Sequence, residues 1–126
     1  MNPKQIEAVL KLSAPKRYDH FIKVVADRQQ AWSLFADGWA LASTTEGKLV
    51  FPLWPEREYA EIAAVDDWAG YQPREIDMED ILVGLLPSLC ERETIIAVFP
   101  TPDDKGVLPE IATFEADLRN ELAKFE

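Results

Sequence analysis

Between residues 31 and 53 apolar residues alternate along the chain, and two turn signals interrupt them. No other feature constrains the fold as strongly. Asp37-Gly38 is typical of a two-residue hairpin turn. Thr45-Glu46-Gly47 is typical of a three-residue turn with the glycine in the left-handed conformation. Together the turns predict an antiparallel β-meander of three strands, residues 31–36, 39–44 and 48–53.

The same turns predict how the three strands align. Leu34 falls opposite Leu41, and Leu41 falls opposite Phe51. Because side chains alternate between the two faces of a strand, one face then carries Trp32, Leu34, Trp39, Leu41, Leu49, Phe51 and Leu53. A shift by one residue would expose that whole set, so the hydrophobic pattern and the turns favour the same register.

Outside this region, apolar residues recur every three to four positions and predict about five helices packed on the sheet. Asn2 is the expected N-cap of the first helix, and Pro87 should kink or end the fourth near Leu86. The later helices should begin near Pro15, Pro55, Asp77 and Pro109. A continuous apolar run predicts one further strand near 94–99. These elements indicate an α+β fold, and 126 residues suit a single domain, 1–126.

The chain is strongly acidic, with 13 Lys and Arg against 23 Asp and Glu and a net charge of -10. Most of the acids follow residue 50. Such a chain repels phosphate groups, so nucleic acid and anionic membranes are poor partners, and no apolar run approaches the roughly 18 residues of a membrane span. The charge can serve solubility alone, or it can form an acidic surface for a basic protein.

Residues that usually perform catalysis or bind metals are scarce. The chain has one histidine, His20, and one cysteine, Cys90, which excludes a disulfide framework and a zinc site built from several such ligands. His20 falls on the polar side of its predicted helix, where a solvated imidazole is expected. We therefore predict no catalytic residue, no metal and no cofactor. The N-terminal residues lack the pattern of an export signal, which predicts a cytoplasmic protein.

The segment after the third strand contains the candidate partner surface. Alternation turns Trp54 away from Leu53, and a tryptophan near Arg57 has the composition of an interface hot spot. Acids continue to the end of the next predicted helix, where the helix dipole disfavours negative charge. The predicted surface consists of Trp54, Arg57, Glu58, Glu61, Asp66 and Asp67. The alternative is that Trp54 seals the edge of the sheet, with Trp68 behind it.

Several short motifs have a pattern in common with one family. They are Trp32-x-Leu34, Gly38-Trp39, Pro52-Leu53-Trp54-Pro55, Tyr59-Ala60, Trp68, Leu82, Leu85, Leu86-Pro87, Val98-Phe99-Pro100 and Gly106. From Tyr18 to the final helix, the chain resembles a small bacterial family, domain of unknown function 2750. The resemblance implies a bacterial cytosolic α+β domain and carries over no catalytic residue, cofactor or partner.

Two functions of different classes remain open. The acidity and the scarcity of catalytic groups favour a non-enzymatic binding or regulatory module, of which an immunity-type protein that neutralises a basic toxin is one version. The alternative is a small-ligand-binding protein or an enzyme that uses carboxylates and tryptophans around Trp54, Glu58 and Asp66. A neighbouring toxin gene would favour the first function, and an operon of metabolic enzymes would favour the second.

Overall fold

The structure, a computed structural model, describes residues 1–125, so Glu126 of the predicted domain lies outside it. Over the described residues the chain forms five helices and five strands, and the predicted α+β class is confirmed. Helix α4 is α-helical at Met78–Asp80, π-helical at Ile81–Leu85 and α-helical again at Leu86–Glu91. The other elements are α1 (Pro3–Leu10), α2 (Ala14–Arg28), β1 (Gln30–Phe35), β2 (Ala42–Ser43), β3 (Leu49–Leu53), α3 (Arg57–Ala63), β4 (Gln72–Asp77), β5 (Ile95–Val98) and α5 (Ile111–Ala123).

Local sequence signals set the boundaries of the helices. Asn2 caps α1, since its side-chain oxygen accepts a hydrogen bond from the Lys4 backbone N–H at 2.8 Å. The prediction was that Pro87 kinks or ends α4 near Leu86, and α4 does not end there. Instead, the Leu86 N–H donates to the Ile81 carbonyl, and this π turn leaves Pro87 in the first turn of the next α-helical segment. N–H groups in a first turn have no partner within the helix, so the missing donor of proline costs little there.

The first predicted hairpin, and with it the three-stranded meander, is wrong. β1 pairs along its whole length with β4 in antiparallel orientation, and the two sheets have the orders β1-β4 and β2-β3-β5. After the turn at Asp37, the chain makes one isolated bridge between Phe35 and Trp39 and then leaves β1. Leu41 is consequently 43% exposed, whereas Leu34 is fully buried.

The composition of β4 explains why its pairing gave no signal in the sequence. Its residues are mostly polar and include Pro73, as is typical of a strand at the edge of a sheet. Arg74 anchors this strand, because its guanidinium carbon lies 3.8 Å from the centroid of the Phe35 ring on β1. β4 lies on one edge of β1; on the other edge, which the hairpin would have used, Trp32 exchanges its backbone hydrogen bonds with Trp54.

The additional strand is confirmed, and the second predicted hairpin forms over a shorter length, because β2 covers only Ala42–Ser43 of the predicted strand 39–44. Ala42 pairs with Val50 and Ser43 with Leu49, in the predicted register. Gly47 has a φ of 86°, as the turn requires. The strand predicted near 94–99 is β5, which pairs with β3 in parallel orientation.

Trp54 joins the two sheets and helps to close the core. Its backbone exchanges two hydrogen bonds of 2.8 Å with Trp32 of β1. Next to this bridge, the Ser33 hydroxyl donates to the Pro52 carbonyl at 2.7 Å. One hydrophobic cluster lies between the strands and the five helices, and in it the rings of Phe21 and Phe114 bring α2 and α5 together at a centroid distance of 5.8 Å. Among residues 1–125, no helix is both long enough and apolar enough to cross a membrane.

Candidate functional site

The largest concavity of the molecule lies over the outer face of β3 and β5, the face turned away from the core cluster. Its volume is about 830 Å³, within the range of roughly 300–1,000 Å³ that is typical of ligand-binding pockets. Along both strands, every second residue faces this concavity. The floor therefore consists of Val50, Pro52, Ile95 and Ala97. We call this concavity, together with Trp68 in its wall, the Trp68 groove.

A buried arginine fixes one wall of the Trp68 groove, the loop of residues 100–105. Arg17 is only 3% exposed. Its guanidinium donates to the carbonyls of Leu12 at 2.6 Å and Phe99 at 3.3 Å, and to the carboxylate of Asp104 at 2.6 Å. The hydrogen bond from Arg17 lowers the pKa of Asp104, so this carboxylate stays ionised and the loop stays attached to α2. The wall is therefore a fixed part of the fold.

Gly106 allows the chain to return from this wall to β5. The Val107 backbone pairs with Val98 just after Gly106, and Gly106 has a φ of 80°. A Cβ atom at this position would lie 2.5 Å from the Val98 carbonyl oxygen. Only glycine fits such a close approach at a positive φ.

Trp68 stands where three concavities meet. It lines the large groove, a cavity of about 190 Å³ together with Asp66 and Asp67, and a cavity of about 370 Å³ beside Leu41 and Leu49. Both leucines are nearly half exposed. Trp68 thus presents a partly exposed aromatic surface in the middle of an apolar and acidic region, which is the setting of many interface hot spots.

Trp54 closes the edge of the hydrophobic core beneath Trp68. It is fully buried, its indole N–H donates to the Pro100 carbonyl at 2.8 Å, and its ring meets that of Trp68 edge-on at a centroid distance of 5.9 Å. In this position Trp54 offers no surface to a partner. The sequence did suggest that Trp68 lies behind Trp54; it gave no sign that Trp68 is the exposed member of the pair.

The charged residues of the predicted partner surface fall into two groups. On α3, the Arg57 guanidinium lies 3.2 Å from the Glu61 carboxylate, and Glu58 lies 3.8 Å from the N-terminal amine of Met1. These contacts compensate part of the acidic charge of α3. The second group, Asp66 and Asp67, is exposed and lines the 190 Å³ cavity beside Trp68.

The dipole argument for Asp66 and Asp67 is wrong. α3 ends at Ala63, and the two acids begin a separate 3₁₀ turn, Asp66–Trp68. Asp66 has a φ of 54°, a conformation that aspartate adopts more readily than most residues. The 3₁₀ turn fixes both acids next to the Trp68 ring.

A second polar region lies inside the molecule around Phe99. The rings of His20 and Tyr59 lie 6.4 and 4.8 Å from the Phe99 ring. Among residues 1–125, neither His20 Nε2 nor the Tyr59 hydroxyl has a hydrogen-bond partner, and both atoms are buried. The expectation of a solvated His20 is therefore wrong. Burial lowers the pKa of His20, against the opposing charge of Glu56, and burial also raises the pKa of Tyr59 to about 12.

The residues of the enzyme alternative do not gather at one site. Trp54 is buried behind Trp68, Glu58 faces the N-terminus, and Asp66 lines the small cavity. Within the described part of the chain, no group of three or more His, Cys, Asp or Glu side chains is placed to hold a metal ion. The groove itself presents apolar, hydroxyl and charged side chains, which can bind a partner by packing and hydrogen bonding.

Comparison with protein families gives one result. The model of the family described as "Protein of unknown function (DUF2750)" matches residues 18–118. No curated protein and no solved structure matches the chain. The matched range includes β1 to β5, the loop held by Arg17, and Trp68. With most of its length matched, the chain belongs to the DUF2750 family of proteins of unknown function.

Proposed function

We propose that this protein is a non-enzymatic binding module that recognises a basic protein through the Trp68 groove. The observation that carries this proposal is the position of Trp68, partly exposed between the apolar floor of the groove and the acids Asp66 and Asp67. Tryptophans in such positions dominate the binding energy of many interfaces, while nearby charges mainly raise the association rate.

The charge of the whole molecule supports the same kind of partner. A net charge of -10 attracts a basic protein from solution and repels acidic ones. Arg57, Glu58 and Glu61 lie on α3, beyond the immediate edge of the groove, and we propose that their charges add to the steering field. The cytoplasm of a bacterium is the proposed location, since the exposed thiol of Cys90 suits a reducing compartment. Neutralisation of a basic toxin is one activity that such a module could perform.

The proposal is tested by capture of a partner on three immobilised forms of the protein. The first form is the wild type, and the second carries Asp66→Asn and Asp67→Asn. The third carries Glu79→Gln and Asp80→Asn. These two consecutive acids are also exposed but do not line the groove, so the change is a matched control. A partner of this groove is retained by the first and third forms and is depleted on the second.

The association rate then measures the steering. For the captured partner, the rate constant should fall several-fold in the Asp66→Asn/Asp67→Asn variant at low salt. The difference should shrink as the ionic strength approaches 0.15 M, where the Debye length is about 8 Å. Equal association rate constants for the Asp66→Asn/Asp67→Asn variant and the Glu79→Gln/Asp80→Asn variant would show that Asp66 and Asp67 serve solubility alone, and the proposed function would be wrong.

A small organic ligand is the second candidate, because a volume of about 830 Å³ and an apolar floor with hydroxyl groups at the rim also suit such a molecule. Thermal shift measurements against a metabolite library distinguish the two candidates. A compound that raises the melting temperature of the wild type, but not that of Trp68→Ala, would favour the small ligand.

A further inference from the structure

We propose that the occupant of the Trp68 groove is an extended segment of the partner, in which two apolar residues at positions i and i+2 are followed or preceded by basic residues. This inference rests on the proposed function and specifies the form in which the basic partner is recognised. It follows from the spacing of the floor, the size of its side chains and the position of the acids.

The floor has a repeat that an extended chain can match. Val50 pairs with Ile95, and Pro52 pairs with Ala97, so the outer face carries two cross-strand rows. The rows lie two residues apart along each strand, which corresponds to about 6.6 Å at a rise of about 3.3 Å per residue. Side chains on one side of an extended segment repeat at the same distance. A segment that runs along β3 can therefore place residues i and i+2 over the two rows.

The side chains of the floor leave room for this insertion. The second row consists of Pro52 and Ala97, and Ala42 lies beside the first row on β2. None of these three side chains extends far above the sheet, so the concavity of about 830 Å³ remains open over them. Val50, Pro52 and Ala97 are already buried. Branched aliphatic side chains of the partner, such as valine, therefore fill the space above them and bury mainly Ile95 and their own apolar surface.

The acids are placed at one end of the floor. Pro100, Thr101 and Pro102 line both the large groove and the cavity that contains Asp66 and Asp67. These residues follow the carboxyl end of β5, next to the row of Pro52 and Ala97. Basic residues of the segment should therefore lie beyond that row. Elsewhere in the groove the charges offset each other, Glu46 against Lys48 at the hairpin end and Asp103 against Lys105 in the wall, while Asp104 is paired with Arg17.

The charge also decides against a second copy of this chain as the occupant. Two copies would each bring a net charge of -10 to the interface, and the repulsion opposes their association. A basic segment, in contrast, gains attraction from the same charge. The groove is thus matched in spacing by an extended chain and in charge by a basic one.

The experiment uses short labelled peptides as defined probes, with fluorescence anisotropy as the readout. The test peptides are Val-Ser-Val-Lys-Lys and its reverse order, Lys-Lys-Val-Ser-Val, because the direction of the segment is left open. One control, Val-Val-Ser-Lys-Lys, has the same composition but the wrong spacing. A second control, Val-Ser-Val-Glu-Glu, reverses the charge. We expect one of the test peptides to bind at least about tenfold more tightly than either control.

Two protein variants and chemical-shift mapping locate the binding site. Ala42→Arg places a bulky cation at the groove, and Ala116→Arg places the same side chain on the exposed surface of α5. The first variant should lose binding and the second should keep it. In the wild type, the amide signals of Val50 and Ala97 and the indole signal of Trp68 should shift on titration.

The possible failures are distinct. Equal binding of the wrongly spaced or acidic control, binding by Ala42→Arg, or signal shifts confined to other regions would each overturn the extended-segment inference. So would the absence of binding by both test peptides. In any of these cases the proposed function still stands or falls separately on capture of the partner and on its association rate with the Asp66→Asn/Asp67→Asn variant.

Discussion

The two faces of β3 and β5 differ in what covers them, although both belong to the same two strands. On the inner face, Phe51, Leu53, Ile96 and Val98 are at most 3% exposed and lie in the hydrophobic cluster with the helices. On the outer face, the alternate side chains form the floor of the Trp68 groove, where Val50, Pro52 and Ala97 are also buried and Ile95 is half-buried. The comparison shows that alternation places neighbouring residues of one strand in different surroundings, the helical core on one side and the groove on the other. Substitutions should therefore have different consequences on the two faces.

The largest difference is expected between two residues of β3. Phe51→Ala removes a buried ring and should lower the free energy of unfolding by about 3–5 kcal/mol, from lost burial and the cavity left behind. Leu49 has the same alternation as Phe51 but lies at the start of the strand and is 47% exposed, so Leu49→Ala should cost less than about 1 kcal/mol. Urea denaturation followed by circular dichroism measures both values. A loss below about 1 kcal/mol for Phe51→Ala would show that the inner face does not carry the stability.

The loop that borders the outer face gives the next largest effect. Gly106→Ala adds a Cβ against the Val98 carbonyl at a φ of 80°, so we expect a loss of about 2–4 kcal/mol from strain and backbone displacement. Gly47 has a φ of 86° but nothing within 4 Å of an added Cβ. Gly47→Ala should therefore cost only the conformational strain, about 1 kcal/mol. Equal losses for the two variants would remove close packing as the reason for Gly106.

The sequence predicted those parts of the fold in which turn chemistry and hydrophobic pattern act locally. The register of β2 against β3 follows from Thr45-Glu46-Gly47 and is confirmed. The pairing of β1 with β4 could not be predicted in this way, because β4 is polar and lies far from β1 in sequence. Its stabilising contact, Arg74 on the Phe35 ring, depends on tertiary structure alone.

For the candidate site, the sequence predicted the acidic residues better than it predicted the exposed tryptophan. Asp66 and Asp67 were selected from charge and do lie beside a tryptophan. Which tryptophan is exposed depends on the hydrogen bond between Trp54 and Pro100, two residues that are distant in sequence. The groove also exists because the chain after Asp37 leaves β1, so that Leu41 remains exposed and Trp68 can donate a hydrogen bond to its carbonyl at 3.4 Å.

Matched substitutions of the two tryptophans should change the free energy of unfolding by intermediate amounts. Trp54→Phe removes the donor of the buried Pro100 carbonyl and should cost about 1–3 kcal/mol. Trp68→Phe keeps an aromatic ring at a partly exposed position and should cost less than about 1 kcal/mol, while it weakens binding of the partner. Thermal and urea denaturation give the stabilities, and titration with the captured partner gives the affinity. A larger loss of stability for Trp68→Phe than for Trp54→Phe would contradict the assignment of seal and contact residue.

The smallest expected effect on stability comes from protonation of the His20 side chain. His20 packs toward Phe99 with Nε2 buried, and burial lowers its pKa below the usual 6.5 although Glu56 opposes the shift; Lys23 lowers the pKa further. The unfolded chain therefore binds a proton at a higher pH than the folded chain does. As the pH falls through 6.5, protonation favours the unfolded state, and stability is lost until the folded pKa is reached.

His20→Gln removes this one titration, since the chain has no other histidine. The wild type should lose more stability than His20→Gln between pH 7.5 and 5.5, whereas the carboxylates contribute equally to both proteins. Urea denaturation at several pH values measures the difference between the two curves. Parallel curves would mean that the imidazole is as accessible to water in the folded chain as in the unfolded one.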